Sequence, residues 1–308
     1  MEVFRDKVAV ITGGASGIGR GIAERCVAEG MKVVVADVEA GALCRTERDL
    51  AEKGGEILSV SCDVSKEEDV RRLATETMAA YGAVHLLFNN AGVSAGTFVS
   101  QHTLADWKWV IGVNLWGVIH GIHTFLPIML SQDAACHIIN TASVEGLWTR
   151  IGSASYQVTK HGVVALSEVL KMEMVYTESK IGVSVLCPGA VDTGIVESFR
   201  NRPPELQNPI ENIPEPTPDQ LEQYEEIKAL FADGMAPAEV ADHVFRAIAE
   251  DRFFILTHPE LNDAIRTRID RILNDGIPTP GYTQSDAASP AFHLKSLLSS
   301  QEDQDEQG

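Results

Sequence analysis

The chain has 308 residues, 44% hydrophobic and 22% charged, with a formal net charge of −19; it belongs among soluble globular proteins long enough for one large α/β core or two small ones. The acidic balance repels phosphate backbones and excludes nucleic acid as an expected partner. No basic amphipathic stretch suits an anionic membrane surface, and no apolar run is expected to span a bilayer.

The start, Met1-Glu2-Val3-Phe4-Arg5-Asp6-Lys7, lacks the basic-then-apolar pattern of a signal segment. Five cysteines, at positions 26, 44, 62, 136 and 187, have neither disulfide nor zinc spacing. A reducing cytoplasm and no metal site are therefore expected. In chain order, β-branched runs at 8–12, 32–37, 56–62, 85–89, 137–142, 182–187 and 253–256 alternate with helical stretches at 18–29, 40–53, 67–81, 104–130, 154–178 and 237–250. The run Lys32-Val33-Val34-Val35-Ala36 has no two-residue alternation, the pattern of a parallel strand covered on both faces. The expected fold is α/β: a single Rossmann-type doubly wound parallel sheet of about seven strands with right-handed crossovers.

The first run ends in Thr12-Gly13-Gly14-Ala15-Ser16-Gly17-Ile18-Gly19, and a helix follows. Glycine permits a tight turn and a close backbone approach to a pyrophosphate, and the helix start offers free N–H donors. A glycine-rich string alone marks only a turn; a buried-type strand before it and a helix after it supply the binding context. The second run ends at Asp37, placed to accept hydrogen bonds from both adenosine-ribose hydroxyls and to repel a 2′-phosphate. No arginine or lysine adjoins it in sequence, and position 16 is serine, so NAD is expected over NADP. Asp63-Val64 closes the third run, where a carboxylate can meet the adenine amino group. Asn89-Asn90-Ala91-Gly92 closes the fourth, where Asn90 can tie neighbouring strands and Gly92 permits approach to the ribose. Each is ordinary turn chemistry alone; together they place polar or glycine residues along one rim of the sheet.

Tyr-x-x-x-Lys occurs three times: Tyr156–Lys160, Tyr176–Lys180 and Tyr224–Lys228. Residues four apart share a helix face, so the spacing itself does not discriminate. Only Tyr156 follows a buried-type run with a serine near its end, Ser143; the residues thirteen before the other two tyrosines are Val163 and Glu211. Oxidising a secondary alcohol requires removal of the hydroxyl proton as hydride leaves carbon. A phenol titrates near ~10 in water, and a nearby ammonium favours the phenolate. Tyr156 is thus the expected general base, or acid in reduction, with Ser143 donating to the substrate oxygen and Lys160 supplying the charge and bonds to the nicotinamide ribose.

These motifs, from Thr12–Gly19 through Asp63, Asn89–Gly92, Asn114, Ser143, Tyr156 and Lys160 to Pro188-Gly189, resemble those of short-chain dehydrogenases/reductases over about 5–256. The resemblance implies that Asn114 holds a water beside the lysine. It also implies that Pro188-Gly189-Ala190-Val191-Asp192-Thr193 wraps the nicotinamide, with Val191 and Thr193 near its carboxamide. It implies a homodimer or homotetramer paired through the helices carrying Asn114 and Tyr156. The residues alone leave Asn114 a mid-helix asparagine of unclear purpose.

One catalytic domain is expected over 1–256, including a substrate lid at 195–236 that is rich in proline and acid. A C-terminal extension follows over 257–308, with a helix at 260–273 and a disordered acidic end at 299–308. Glu145, Leu147 and Trp148 are expected to line the substrate pocket. His120 and His123 lack a third ligand and suit packing, as do Cys136-His137 and the tryptophans at 107, 109 and 116. The expected activity is NAD-dependent hydride transfer with a hydrophobic or aromatic secondary alcohol or ketone. The length and lid resemble the aryl-alcohol and lignin-fragment dehydrogenases of the family. A non-catalytic NAD-binding regulator and an acyl-thioester ketoreductase are the alternatives; the intact Ser143, Tyr156 and Lys160 weigh against the first, and Asp37 and the acidic surface against the second.

Overall fold

The computed structural model describes residues 3–208, 217–274 and 276–278. Seven strands, β1 (Val8–Thr12), β2 (Lys32–Asp37), β3 (Glu56–Ser61), β4 (Leu86–Asn89), β5 (Cys136–Thr141), β6 (Ile181–Cys187) and β7 (Phe254–Leu256), form one sheet. Its order is β3-β2-β1-β4-β5-β6-β7, and every pairing is parallel. The chain winds outward from β1 to β3, then crosses back to β4. The crevice at the β1–β4 boundary is the switch point at which such sheets bind ligands.

Strand alternation divides the core into two layers. Val8 and Val10 of β1 face one layer with Val34, Leu87 and Ile138, covered by α3 (Glu67–Tyr81), α5 (Gly117–Ser131) and α6 (Ala154–Tyr176). Ala9 and Ile11 face the other with Val33, Val35 and Phe88, covered by α1 (Gly17–Ala28), α2 (Ala40–Glu52) and α8 (Pro237–Ala249). Full burial of one such side chain stabilises by about 1.5–3 kcal/mol, and a strand buried on both faces needs apolar residues at every position. The α1–α8 contact is close: a Cβ on Gly21 would stand 2.6 Å from Pro237 O.

The expected 104–130 helix divides into α4 (Leu104–Ile111), a π-helical turn (Gly112–Trp116) and α5. The turn contains Asn114, which is fully buried and bonds outside its own helix. The expectation of no bilayer-length apolar run is also corrected. Leu104–Ser131 is continuous over 28 residues and apolar enough to span by length and composition. Its Val118, Ile122, Phe125 and Met129 instead lie in the core beneath the sheet.

Within 195–236 the described parts are a 3-10 segment at Gly194–Asn201, a 3-10 turn at Pro204–Leu206 and α7 (Pro218–Ala232). After β7 a 3-10 turn (Pro259–Leu261) leads into α9 (Asn262–Leu273), close to the helix expected at 260–273. The acidic end expected to be disordered lies outside the described residues.

Candidate active site

The glycine loop joins β1 to α1 in a left-handed turn. Gly13 and Gly17 have φ of +61° and +49°, values that an L side chain resists. Gly19 is needed for packing, since a Cβ there would meet Gly13 O at 2.1 Å. Ser16 is extended at the helix N-cap with no side-chain cap, and Ile18 follows in the first turn. The first N–H groups of α1 consequently point beyond the helix end.

Asn90 ties three strands at this rim. Its Nδ2 donates to Thr12 O at 3.1 Å and Gly13 O at 3.3 Å, its backbone N–H donates to Thr12 Oγ1 at 2.9 Å, and its Oδ1 accepts from Thr141 Oγ1 at 3.3 Å. Ala91 N–H also reaches Thr12 Oγ1, at 3.2 Å. Asp37 is buried at the end of β2, where Ala15 N–H and Glu39 N–H donate to its two oxygens, each at 3.1 Å. Burial raises its carboxyl above the usual range, opposed by those backbone bonds. Asp63 accepts from Ser65 N–H at 3.1 Å and Ser65 Oγ at 2.7 Å, in a turn that buries Val64.

The ends of β5 and α6 bring the other group together. Ser143 caps a 3-10 turn at Val144–Gly146; its Oγ accepts Glu145 N–H at 3.1 Å and lies 3.4 Å from Pro188 O. Tyr156 is half-buried in the first turns of α6. Burial pushes its phenol above the ordinary value and the Glu145 carboxylate adds to this, while a hydrogen bond with Ser143 opposes both. Lys160 Nζ lies 5.4 Å from the centroid of the Tyr156 ring. It donates to Thr141 O at 2.9 Å, and burial pushes its ammonium down to about 8. Asn114 accepts Val93 N–H at 2.8 Å and donates to Val93 O at 2.9 Å and Thr159 Oγ1 at 3.3 Å. The π turn that exposes this amide to Val93 supplies a purpose the sequence pattern alone does not show.

Opposite them runs the loop after β6. Val191 is buried in a bridge to Met235; its two bonds, Met235 N–H to Ala190 O and Asp192 N–H to Met235 O, leave the Val191 N–H aside. Thr193 packs on the glycine loop, close enough that a Cβ on Gly17 would stand 2.8 Å from its Cγ2. The 194–208 segment then crosses the rim. Ser198 Oγ accepts Ser94 N–H at 3.0 Å, Arg200 pairs with Glu39 at 2.7 Å, and Arg202 pairs with Asp106 at 2.6 Å in a buried contact. Leu206 and Tyr156 both pack against the cluster of Val93, Ala95, Trp109 and Val110.

The sequence model of the short chain dehydrogenase family matches residues 7–204. The chain belongs to the short-chain dehydrogenase/reductase family. It is accordingly an oxidoreductase by family. It is 34% identical over 278 residues to a CLA biosynthesis dehydrogenase/reductase of Lactiplantibacillus plantarum, covering 90% of this chain and 97% of the relative. It is 31% identical over 282 residues to a C alpha-dehydrogenase of Sphingobium sp., covering 90% and 89%. The crystal structure of a short-chain dehydrogenase/reductase from Burkholderia phymatum in complex with NAD superposes with a TM-score of 0.87 at 44% identity, covering 92% of this chain and all of that one.

Against the family pattern, the two other Tyr-x-x-x-Lys pairs lie on the surface. Tyr176 is 89% exposed, Lys180 pairs with Asp133, and Lys228 pairs with Glu197. His120 Nδ1 bonds Val64 O at 2.9 Å rather than a ligand. Glu145 pairs through Oε1 with Arg150 at 2.9 Å, while its Oε2 is buried with no hydrogen-bond partner among the described residues. Leu147 packs on the core and Trp148 is buried beside it. Gln157 holds the Arg150–Gly152 loop through bonds of 3.0 Å to both Arg150 N and Arg150 O. Sequence reasoning gave no role to Gln157, Arg200 and Arg202. Each acts through a partner distant along the chain or through backbone atoms, which no local motif records.

Proposed function

We propose that the protein is an NAD-dependent alcohol dehydrogenase or ketone reductase acting on a secondary alcohol/ketone pair with a hydrophobic or aromatic body. The observation that carries this reading is the convergence of Ser143, Tyr156 and Lys160 close to Gly92. Gly92 is exposed, and a Cβ built on it would approach Asn114 Oδ1 and Lys160 Nζ no closer than 3.6 Å. Gly92 thus brings the backbone next to the Lys160 ammonium, which donates to Thr141 O and has further N–H donors for the hydroxyls of a ribose. The dinucleotide fits the rest of the rim. The N–H groups at the start of α1 suit a pyrophosphate, Asp37 suits the adenosine ribose, and Asp63 with Val64 borders the adenine. Gly189, Val191 and Thr193 border the nicotinamide end, Val191 through its backbone. The bound nicotinamide supplies the hydride acceptor or donor.

The chain supplies binding and proton transfer. Ser143 Oγ donates to the substrate oxygen once its long contact to Pro188 O is exchanged, and stabilises charge developing there. Tyr156 Oη accepts the alcohol proton during oxidation and returns it during reduction. Burial disfavours the phenolate and the Ser143 hydrogen bond opposes it; a positive charge on Lys160, 5.4 Å from the ring centroid, acts in the same sense as Ser143. Asn114 anchors the Val93 backbone and extends a path from the lysine toward water. Val93, Ala95, Trp109 and Val110 give Tyr156 an apolar backing, and Glu145, close enough to act on the phenol, borders the substrate side. The 195–236 segment forms a substrate lid, and the protein assembles as a homodimer or homotetramer.

The test is absorbance of reduced nicotinamide on mixing purified protein with NAD and a panel of secondary alcohols. Turnover with apolar and aryl alcohols is expected, faster with NAD than with NADP, and Asp37→Ala narrows that preference. A protein that binds NADH yet turns over no alcohol or ketone in either direction contradicts the enzyme reading; one faster with NADP contradicts the cofactor assignment.

A further inference from the structure

The residues after β7 lie beyond the 7–204 span of the family match, yet they return to the loop that follows β6. Thr257 is buried, and His258 stands against Gly189 and Ala190. Gly189 N–H donates to His258 Nδ1 at 3.0 Å, and the Thr257 hydroxyl lies 2.8 Å from the same nitrogen. His258 Nε2 lies 3.0 Å from Ala190 O. The partners settle the tautomer. A peptide N–H only donates, so Nδ1 is the acceptor; a carbonyl only accepts, so Nε2 carries the proton. One neutral imidazole therefore grips the N–H of one residue and the carbonyl of the next. The fit is close, since a Cβ on Gly189 would stand 2.8 Å from His258 Cγ and 3.0 Å from Leu261 Cδ1.

We propose that His258 is a positioning residue that fixes the Gly189–Ala190 turn against the nicotinamide end of the cofactor. The proposal rests on the dinucleotide site described above. The grip holds two peptide groups beyond the end of β6 at Cys187: Gly189 N–H, which it accepts, and Ala190 O, which it shares with Met235 N–H. Without it the loop has more conformations to lose on closing over the ring, and affinity falls. The adenosine half is held elsewhere, by Asp37 and the glycine loop between β1 and α1, whereas the hydrogen bonds of His258 go to Gly189, Ala190 and Thr257. The effect should therefore depend on which half of the dinucleotide a ligand carries.

The experiment compares NADH with ADP-ribose, which lacks the nicotinamide, by titration calorimetry on full-length wild type, His258→Ala and His258→Asn. Loss of a hydrogen bond worth about 1 kcal/mol corresponds to several-fold in affinity, and loss of both to about tenfold or more. His258→Ala is expected to raise the Kd for NADH and the KM for NAD about tenfold, with the Kd for ADP-ribose within about twofold. His258→Asn, whose Oδ1 can still accept Gly189 N–H, should fall between wild type and alanine. If the alanine variant does not fold, His258→Asn against wild type should show the same contrast in smaller degree. Equal weakening of both ligands marks a merely structural role and overturns the proposal, as does unchanged NADH binding. A wild type that binds neither ligand instead overturns the dinucleotide site itself.

Discussion

At the residue scale the chemistry turns on buried charge. Lys160 is only 3% exposed, and burial pushes its ammonium from 10.5 down to about 8. The folded chain releases this proton before the unfolded chain does. Between about pH 8 and 10.5 the unfolded state binds more protons, so stability rises with pH; below that window the cost of the buried charge is present in full. Lys160→Met should therefore stabilise the cofactor-free protein at pH 7 by up to ~3 kcal/mol in urea unfolding. The gain should shrink through the same window, while turnover is lost. A variant less stable at pH 7 would show that the ammonium is better paired than its bond to Thr141 O suggests. Ser143, Tyr156 and Lys160 were legible because their spacing and the strand before them are local signals. Asn114 was legible only through resemblance, since a π turn leaves no mark in hydrophobic periodicity. His258 left none either, because its partners are backbone groups about seventy residues away.

At the element scale the sheet was readable because parallel strands buried on both faces are continuous apolar runs. Strand edges differ by a residue, as at β4, which begins at Leu86 rather than 85. The segment after β6 was less readable. Sequence places no cation beside Asp37, yet Arg200 arrives from the far segment and is held by Glu39 and two backbone carbonyls. The same segment is fixed to α4 by Arg202, whose guanidinium pairs with Asp106 and stacks 5.3 Å from the Trp109 ring centroid. The two side chains are 4% and 6% exposed. Removing one partner of such a pair leaves a buried charge and costs ~3–5 kcal/mol. Arg202→Met should lower stability by about 3 kcal/mol and raise KM for the alcohol more than KM for NAD, measured by denaturation and steady-state kinetics. Equal changes in both Michaelis constants would detach this segment from the substrate side.

At the scale of the whole molecule, one face of α6 is unusually apolar. Val158, Val169 and Met172 are 51%, 47% and 62% exposed and recur at helical spacing, with Trp116 on the neighbouring helix 50% exposed. Exposed apolar patches of this kind mark contact surfaces. Light scattering is expected to give two or four times the monomer mass, and Val169→Asp with Met172→Glu should reduce it to the monomer. A wild-type monomer at micromolar concentration would contradict the proposed assembly. The acidic surface, the parallel sheet and the polar rim at its switch point were all visible in composition and pattern. A lid at 195–236 was expected from composition, but the pairings that fix 194–208 to Glu39 and Asp106 and the return of His258 to the loop after β6 were not, because both depend on contacts between segments far apart in sequence.

The central claim is that the Tyr156 hydroxyl transfers the substrate proton beside the dinucleotide. Its most direct test is the turnover of Tyr156→Phe measured alongside NADH affinity. The account predicts a loss of about 10³-fold or more in kcat with NADH binding within a few-fold of wild type; turnover within tenfold of wild type would contradict it.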